Sequence, residues 1–348
     1  MQTGRGSTSF YKLLLDQKPS TTLLNTEIIQ KIRSSTGAQS VIRSSRIQSL
    51  WSGYGEIIRC ELAGGKLTSV VVKHVQLPNQ LQHPRGWNTD ISHQRKLKSY
   101  EVEMNWYAGL AQHCDTSCRI PTGIYNWQQE GEMLMILEDL DTAGFPVRKS
   151  SVTLDEIKSC LSWLAHFHAK FMDTTASELW SIGTYWHLDT RPDEWLAMQN
   201  QHLKNAAKTI DTKLKNAIYQ TLVHGDAKLA NFCFASQHTA VAAVDFQYVG
   251  RGCGMKDVAY LLSSCLDESE CEILEHELLN YYFSILRSAF ERYEITLNPE
   301  GLIHEWSELY KYAWADFYRF LDGWSPGHYK MHRYSQRMVN EVMADIRR

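Results

Sequence analysis

The chain has 348 residues with 36 basic and 39 acidic side chains, a length that suits two lobes or domains and a net charge of −3. No overall basic field points to nucleic acid, and no block of lysine or arginine suggests an anionic membrane surface. We find no signal peptide and no apolar stretch of membrane-spanning length, so we expect a cytoplasmic protein without nucleic-acid or membrane partners. Eight scattered cysteines without a C-x-x-C pair predict reduced thiols.

The first 46 residues are expected to form an extension that precedes the first domain. It begins with a polar stretch rich in Gly, Ser and Thr, and short helical patterns follow around 10–15 and 23–33. From Ile47 the pattern becomes that of β-strands separated by glycine turns. We therefore place a β-rich domain with one helix at residues 47–138 and a mainly helical domain at 139–348.

Gly53 and Gly55 lie in a turn between two of the predicted strands. Because glycine has no side chain, backbone amides in such a turn can approach phosphate oxygens closely. A plain hairpin turn is the more frequent explanation of two glycines at this spacing, so the pair by itself does not identify a binding site.

Lys73 interrupts a β-branched strand, where a charged side chain needs a partner. The candidate acids are Glu101 and Glu103 on a helix predicted at 100–110, and Glu103 is favoured because it shares a helical face with two tyrosines. The polar segment 76–99 between strand and helix is expected to be an ordered insertion or a lid.

Two further strands are predicted at Thr122–Trp127 and Glu132–Leu137. The second runs into an acidic segment that contains Glu138 and Leu140, which is either a simple loop or a hinge between the domains. Beyond it the pattern becomes helical, and Thr153 has the residue type and position of a helix N-cap.

The C-terminal part is predicted to be helical, with aromatic side chains at three- and four-residue steps from Trp306 to Trp324. Such a stripe usually packs into a core. The alternative is an aromatic wall for a bound molecule, including a cation held by ring faces. Residues 172–216 show no pattern that we can interpret.

Two apolar, strand-like runs each lead to an acidic residue, Asp226 and Asp245, and Asn231 stands five residues after Asp226. A carboxylate on a short loop can accept the proton of an attacking hydroxyl group. An amide oxygen and a second carboxylate suit Mg²⁺, a hard cation that prefers oxygen ligands. The alternative is a buried hairpin whose Asp and Asn side chains only make turns.

The spacing His-x-Asp-x-Lys-x-x-Asn from His224 to Asn231, followed by Asp-Phe-Gln at Asp245, resembles the kinase signatures H-R-D-x-K-x-x-N and D-F-G. Gly225 replaces the arginine and Gln247 replaces the last glycine. The His-Gly-Asp form looks like the aminoglycoside phosphotransferase and choline kinase superfamily, most closely its ecdysteroid kinase-like branch. The resemblance implies an α+β, bilobal protein kinase-like fold with an antiparallel β-sheet N-lobe and a mainly helical C-lobe.

The resemblance also implies a catalytic role for each residue of this stretch. Asp226 would orient and deprotonate the acceptor hydroxyl, Lys228 would neutralise charge on the migrating phosphoryl group, and His224 would support the loop. Asn231 and Asp245 would bind Mg²⁺.

The cofactors implied are ATP and Mg²⁺. In this resemblance Lys73 contacts the α- and β-phosphates with Glu103 facing it, and the backbone of the hinge meets the adenine edge. Ile58 stands where the kinase glycine loop has a third glycine. The implied nucleotide-binding residues are Gly53, Gly55, Lys73, Glu103, Glu138 and Leu140.

The predicted function is transfer of the γ-phosphate of ATP to a hydroxyl group of a small molecule. The linker from Asp245 to the helix that begins near Asp257 is too short for the activation segment with which a protein kinase presents a peptide. The acceptor could be a polycyclic alcohol, an amino alcohol, a sugar or an antibiotic, and the oligomeric state is open. The alternative is a catalytically silent kinase-like protein that binds a nucleotide or a partner, which the departures at Ile58 and Gln247 favour.

Overall fold

The computed structural model describes residues 24–50, 53–76, 90–237 and 240–347. The chain divides into two compact units. The first consists of residues 1–84 and 123–139, and the second of residues 85–122 and 140–348. Among the described helices, none is long and apolar enough to cross a membrane.

The first unit is built on a five-stranded antiparallel sheet with the strand order β1-β2-β3-β5-β4. The strands are β1 (Ser40–Ser49), β2 (Gly55–Ala63), β3 (Ser69–Gln76), β4 (Gly123–Gln129) and β5 (Glu132–Glu138). Alternating apolar residues of β2, β3 and β5 are fully buried, and the helix α1 (Thr26–Thr36) adds Ile28 and Ile32 to the same cluster. The core of this unit therefore lies between α1 and the centre of the sheet.

The first strand begins earlier than predicted, at Ser40 instead of Ile47. It is an edge strand whose side chains are mostly exposed, so it lacks the apolar alternation from which a strand is recognised. The helical pattern at 23–33 corresponds to α1, whereas the pattern at 10–15 lies outside the described residues.

The second unit is mainly helical. Its helices are α2 (Asp90–Ala108), α3 (Leu154–Lys170), α4 (Pro192–Ala197), α5 (Gln201–Lys215), α6 (Met255–Cys265), α7 (Glu268–Arg292), α8 (Pro299–Trp324) and α9 (Arg333–Ile346). Two short antiparallel pairs complete it: β6 (Thr221–Val223) with β9 (Gly250–Gly252), and β7 (Phe232–Phe234) with β8 (Val241–Ala243). A sheet unit and a helical unit confirm the predicted α+β class.

Helix boundaries follow local chemistry. Thr153 caps α3 as predicted, and Glu156 completes a capping box with it. The helix predicted at 100–110 begins ten residues earlier, at Asp90, and belongs to the helical unit by its contacts. Of the segment proposed as an insertion or lid, residues 77–89 lie outside the described part of the chain.

The aromatic stripe of α8 is mostly core. Phe317 and Phe320 are buried in one cluster with Trp186 and Tyr260, whereas Trp324 is only partly buried at its edge. Burial of these aromatic side chains in the core is what their three- and four-residue spacing predicted. At the partly buried end of the stripe, Trp324 stacks on Phe320 with ring centroids 5.6 Å apart.

Candidate active site

The loop that carries the predicted catalytic residues follows directly after β6, and one buried carboxylate holds its backbone. Asp257, in the first turn of α6, accepts hydrogen bonds from the backbone N–H groups of His224 (2.6 Å) and Gly225 (2.9 Å). Its side chain is fully buried and also lies 3.2 Å from Nε2 of His168 on α3. The loop is thereby fixed to two helices of the same unit.

Only glycine fits between the predicted loop residues His224 and Asp226. Gly225 has a φ of +79°, and a Cβ atom there would lie 2.1 Å from the carbonyl oxygen of Tyr248 and 2.9 Å from the backbone nitrogen of Thr184. The close approach of these backbones explains why this chain has glycine where the kinase signature has arginine.

His224 supports the loop, as predicted. Its Nε2 donates to the carbonyl oxygen of Val244 at 3.0 Å, and its Nδ1 accepts from the backbone N–H of Asp226 at 3.2 Å. These two contacts together place the ring proton on Nε2. The ring is buried against Phe246 at a centroid distance of 4.5 Å, so it cannot reach a substrate and acts only on the loop.

The carboxylate of Asp226 is held by two side chains. Lys228 Nζ lies 2.9 Å from Oδ2, and Asn231 Nδ2 donates to the same oxygen at 3.0 Å and to the Asp226 carbonyl at 2.8 Å. Because both donors bind Oδ2, Oδ1 is the oxygen to which an acceptor hydroxyl could donate. The structure therefore brings together three of the predicted residues in an arrangement suited to a general base.

Gln247 links Asp245 to α2. Its Nε2 donates to Asp245 Oδ1 at 2.5 Å, while its Oε1 accepts from Lys96 Nζ at 2.8 Å and from Ser99 Oγ at 3.2 Å. Asp245 itself has a left-handed φ of +71°, which is uncommon for a residue with a side chain. Sequence reasoning treated Gln247 only as a departure from the kinase pattern and missed this role.

Asp245 lies close enough to the catalytic loop for its charge to raise the pKa of Lys228. Burial opposes the charged form of Lys228, but the carboxylates of Asp226 and Asp245 outweigh burial and raise the pKa of this lysine. Lys228 thus remains a cation that is stabilised by both carboxylates.

The donor set fits magnesium. The amide nitrogen of Asn231 is committed to Asp226, so its oxygen is the atom that would face a metal ion, and Asp245 would supply a carboxylate oxygen. Within the described residues, no cluster of three or more His, Cys, Asp or Glu side chains is suited to a metal ion. A bound ion would therefore need oxygens of the nucleotide in addition to these two residues.

Three of the predicted nucleotide-binding residues lie in the centre and turns of the sheet unit. Gly53 and Gly55 have φ values of +78° and +126°, and a Cβ on Gly55 would lie 2.0 Å from the carbonyl oxygen of His74. Lys73 is buried on β3 between its register partners on β2 and β5. The glycines are thus required by the turn itself, so their presence does not establish phosphate binding.

The predicted hinge is anchored to the sheet by the residue between its two nucleotide-binding candidates. Asp139, which follows Glu138 and precedes Leu140, accepts two hydrogen bonds from Arg59, at 2.7 and 3.1 Å, and one from Ser69 at 2.7 Å. The backbone at this point is consequently fixed, as a main-chain adenine contact would need.

Glu103 is buried on α2, whereas its rival Glu101 is partly exposed. Burial, and next the charges of Glu103 and Asp245, raise the pKa of Tyr107, so both acids lie near this tyrosine. The pairing of Glu103 with Lys73 stays a prediction.

An aromatic region borders Asp226 and was missed because residues 172–216 showed no pattern. The backbone N–H of Tyr185 donates to the carbonyl oxygen of Gly225 at 3.0 Å. The Tyr185 ring contacts Tyr248, Tyr260 and Phe320 at centroid distances of 6.0, 5.4 and 5.4 Å. Tyr185 and Tyr248 are half-buried, so this region reaches the surface next to the catalytic loop.

Several solved structures are similar to this chain at low sequence identity. One is a GDP complex of aminoglycoside 2'-phosphotransferase-IIIa, with 12% identity, a TM-score of 0.47 and coverage of 92% of this chain and 98% of that chain. Others are a putative fructosamine-3-kinase from Haemophilus somnus (14%, 0.47, 90% and 96%) and an ethanolamine kinase from Plasmodium vivax (10%, 0.42, 99% and 96%). A comparison with curated proteins finds no match.

The ecdysteroid kinase-like family model matches residues 170–295. This range contains the catalytic loop, Asp245, Gln247 and Asp257. The match confirms the resemblance to the ecdysteroid kinase-like family that the motifs predicted, and it does so for residues 170–295 of the chain.

Proposed function

We propose that this protein is an ATP- and magnesium-dependent phosphotransferase that moves the γ-phosphate to a hydroxyl group of a small molecule. The observation that carries the proposal is the arrangement at Asp226. Lys228 and Asn231 both hold Oδ2, and Oδ1 is left for an incoming hydroxyl.

In this proposal Asp226 Oδ1 accepts the hydrogen bond of the acceptor hydroxyl, orients its oxygen for attack and takes its proton as the new bond forms. Lys228, which the neighbouring carboxylates keep protonated, neutralises negative charge on the transferred group. His224 and Asp257 act on the loop backbone and keep Asp226 in place.

Asn231 and Asp245 would hold Mg²⁺, which supplies neutralisation of phosphate charge when bound. Gln247 orients the Asp245 carboxylate. The candidates for nucleotide binding are Gly53, Gly55, Lys73, Glu103, Glu138 and Leu140.

A small acceptor is favoured by the short connection after Asp245. α6 begins only ten residues later, at Met255, and β9 in this connection pairs with β6. A segment tied back in this way offers no extended surface on which a peptide could be presented.

One observation favours the second candidate, a catalytically silent kinase-like protein. The oxygen Asp245 Oδ1 already accepts a hydrogen bond from Gln247, and a permanent bond there would compete with magnesium. The two candidates differ in turnover, whereas both allow nucleotide binding.

The test is release of ADP from ATP and Mg²⁺ with a library of hydroxyl compounds, for wild type and Asp226→Asn. We expect the variant to lose about 10²- to 10⁴-fold in kcat while its nucleotide affinity is unchanged. The matched control is Asp267→Asn, because Asp267 caps α7 at the surface and asparagine caps a helix equally well. Equal turnover by wild type and Asp226→Asn would refute the assigned base.

A further inference from the structure

Lys330 is a buried cation that the proposed reaction does not use. Its side chain is only 7% exposed, and Nζ donates to Ser263 Oγ at 3.2 Å. Among the described residues it forms no ion pair with an Asp or Glu side chain, unlike the buried Arg319 and Lys256, which both pair with Asp316. A buried charge without a counterion is unfavourable and needs a functional or structural explanation.

The ammonium group of Lys330 occupies the ring faces of an aromatic cluster. Nζ lies 4.9 Å from the ring centroid of Tyr260, 5.5 Å from that of Phe317 and 5.9 Å from that of Tyr329. Such distances allow cation–π attraction. The place where these rings could hold a cationic ligand is therefore filled by the protein's own side chain.

This cluster is continuous with the catalytic loop. The Tyr260 ring contacts Tyr185 at 5.4 Å, and the backbone of Tyr185 bonds to the residue before Asp226. Burial lowers the pKa of Lys330 to about 8, and the charges of Lys228 and Asp226 also act on it. Lys330 is thus an electrostatic neighbour of the proposed base.

The cluster also reaches the surface. Tyr329 is 75% exposed, and its ring stacks on that of the half-buried His328 at 4.5 Å. Trp324, also half-buried, stacks on Phe320 at 5.6 Å. The aromatic surface formed by these rings is partly exposed to solvent, and through Tyr329 it is in contact with Lys330.

Cationic side chains also act on Tyr248, another residue of the aromatic region. Burial raises the pKa of the Tyr248 phenol, but Lys96, Arg191 and Arg95 together outweigh burial and lower it. The half-buried Tyr248 also lies close enough to Asp226 for that carboxylate to oppose the lowering. These three cations therefore act on Tyr248, whose ring contacts Tyr185 in the aromatic region.

We infer that Lys330 is the polar anchor of the acceptor subsite, and that the acceptor is an alcohol with an aromatic or similarly flat body and an anionic group such as a carboxylate. This inference rests on the proposed function. The anionic group supplies the counterion that Lys330 lacks, and the rings of Tyr185, Trp324 and Tyr329 pack against the body. A cationic amino alcohol meets repulsion and finds the ring faces taken.

The test uses three probes with one skeleton and one reacting hydroxyl: 4-(hydroxymethyl)benzoate, its neutral amide and the cationic 4-(hydroxymethyl)benzylamine. Binding to the full-length protein is measured by calorimetry without nucleotide, and ADP release is measured with ATP and Mg²⁺. We expect at least tenfold tighter binding of the benzoate than of the benzylamine by wild type. Lys330→Met should abolish this difference and Lys330→Arg should keep it.

Lys158→Met is the matched control, because Lys158 is a surface lysine that pairs with Glu277, and it should leave the preference unchanged. Equal affinity for the three probes, or a preference for the benzylamine, overturns the inference, as does a benzoate preference that survives in Lys330→Met. If Lys330→Met does not fold, the wild-type series and Lys330→Arg still decide.

Failure of the inference and failure of the proposed function give different results. Turnover that depends on Asp226 but shows no charge preference overturns the inference alone. A benzoate preference that depends on Lys330, without any turnover above Asp226→Asn, supports the subsite and contradicts the proposed phosphotransferase.

Discussion

The side-chain amide of Gln247 donates a hydrogen bond of 2.5 Å to Oδ1 of Asp245. The same amide accepts from Lys96 and Ser99 of α2, so the orientation of the Asp245 carboxylate depends on a helix that lies far away in the sequence. A residue that contradicts the kinase signature is therefore part of the framework of the site.

Replacing Gln247 by alanine separates the two candidate functions. If Gln247 positions Asp245 for magnesium, Gln247→Ala raises the Mg²⁺ concentration needed for half-maximal turnover by about 10- to 100-fold. If Gln247 blocks the carboxylate, the variant gains turnover instead. Magnesium titrations of ADP release measure this, with Gln201→Ala on the surface of α5 as the control.

Gly225→Ala should destabilise the helical unit severely. Both the positive φ and the contact of 2.1 Å with the Tyr248 carbonyl oppose a Cβ atom, and we expect a loss of about 3 kcal/mol or more in the free energy of unfolding. Gly327→Ala is the matched control, because Gly327 has a similar φ of +76° with no atom within 4 Å. It should lose only about 1 kcal/mol. Urea unfolding of both variants measures the difference, and equal losses would contradict the steric argument.

Asp257→Asn should weaken the catalytic loop. Asp257 uses both carboxylate oxygens for the N–H groups of His224 and Gly225, so an asparagine must lose one of them, at a cost of about 1.5–3 kcal/mol. Asp322→Asn provides the comparison, because both N–H groups that Asp322 binds, those of Gln199 and Asn200, donate to a single oxygen. Thermal melting should show the larger loss for Asp257→Asn, and turnover should fall only in that variant.

Lys330 should make stability depend on pH in a defined range. Its pKa is lowered from 10.5 to about 8 in the folded protein, so the unfolded chain binds more protons between these values. Wild type therefore gains stability relative to Lys330→Met as the pH rises from about 8 to about 10.5, by about 1–3 kcal/mol. Urea unfolding of both proteins at pH 7, 8, 9 and 10 measures the difference. A difference that is constant across this range would contradict a lowered pKa.

Local patterns in the sequence predicted much of the fold. The apolar alternation of β3 and β5, the cap at Thr153 and the aromatic spacing of α8 depend on residues within a few positions of each other, where chain geometry fixes the relationship. The same holds for Asp226, Lys228 and Asn231, which one short loop carries. Edge strand β1 was placed too late because an exposed strand has no apolar period.

The sequence by itself determined which side chains could perform phosphoryl transfer, because their types and spacing lie within one continuous stretch. Only the tertiary structure decided what surrounds them. Gln247 meets Lys96 across 151 positions, and Lys330 becomes an electrostatic neighbour of Asp226 through the packing of α6 and α8. Contacts of this range depend on how helices pack and which charges become buried, and neither is encoded in the local spacing of residues.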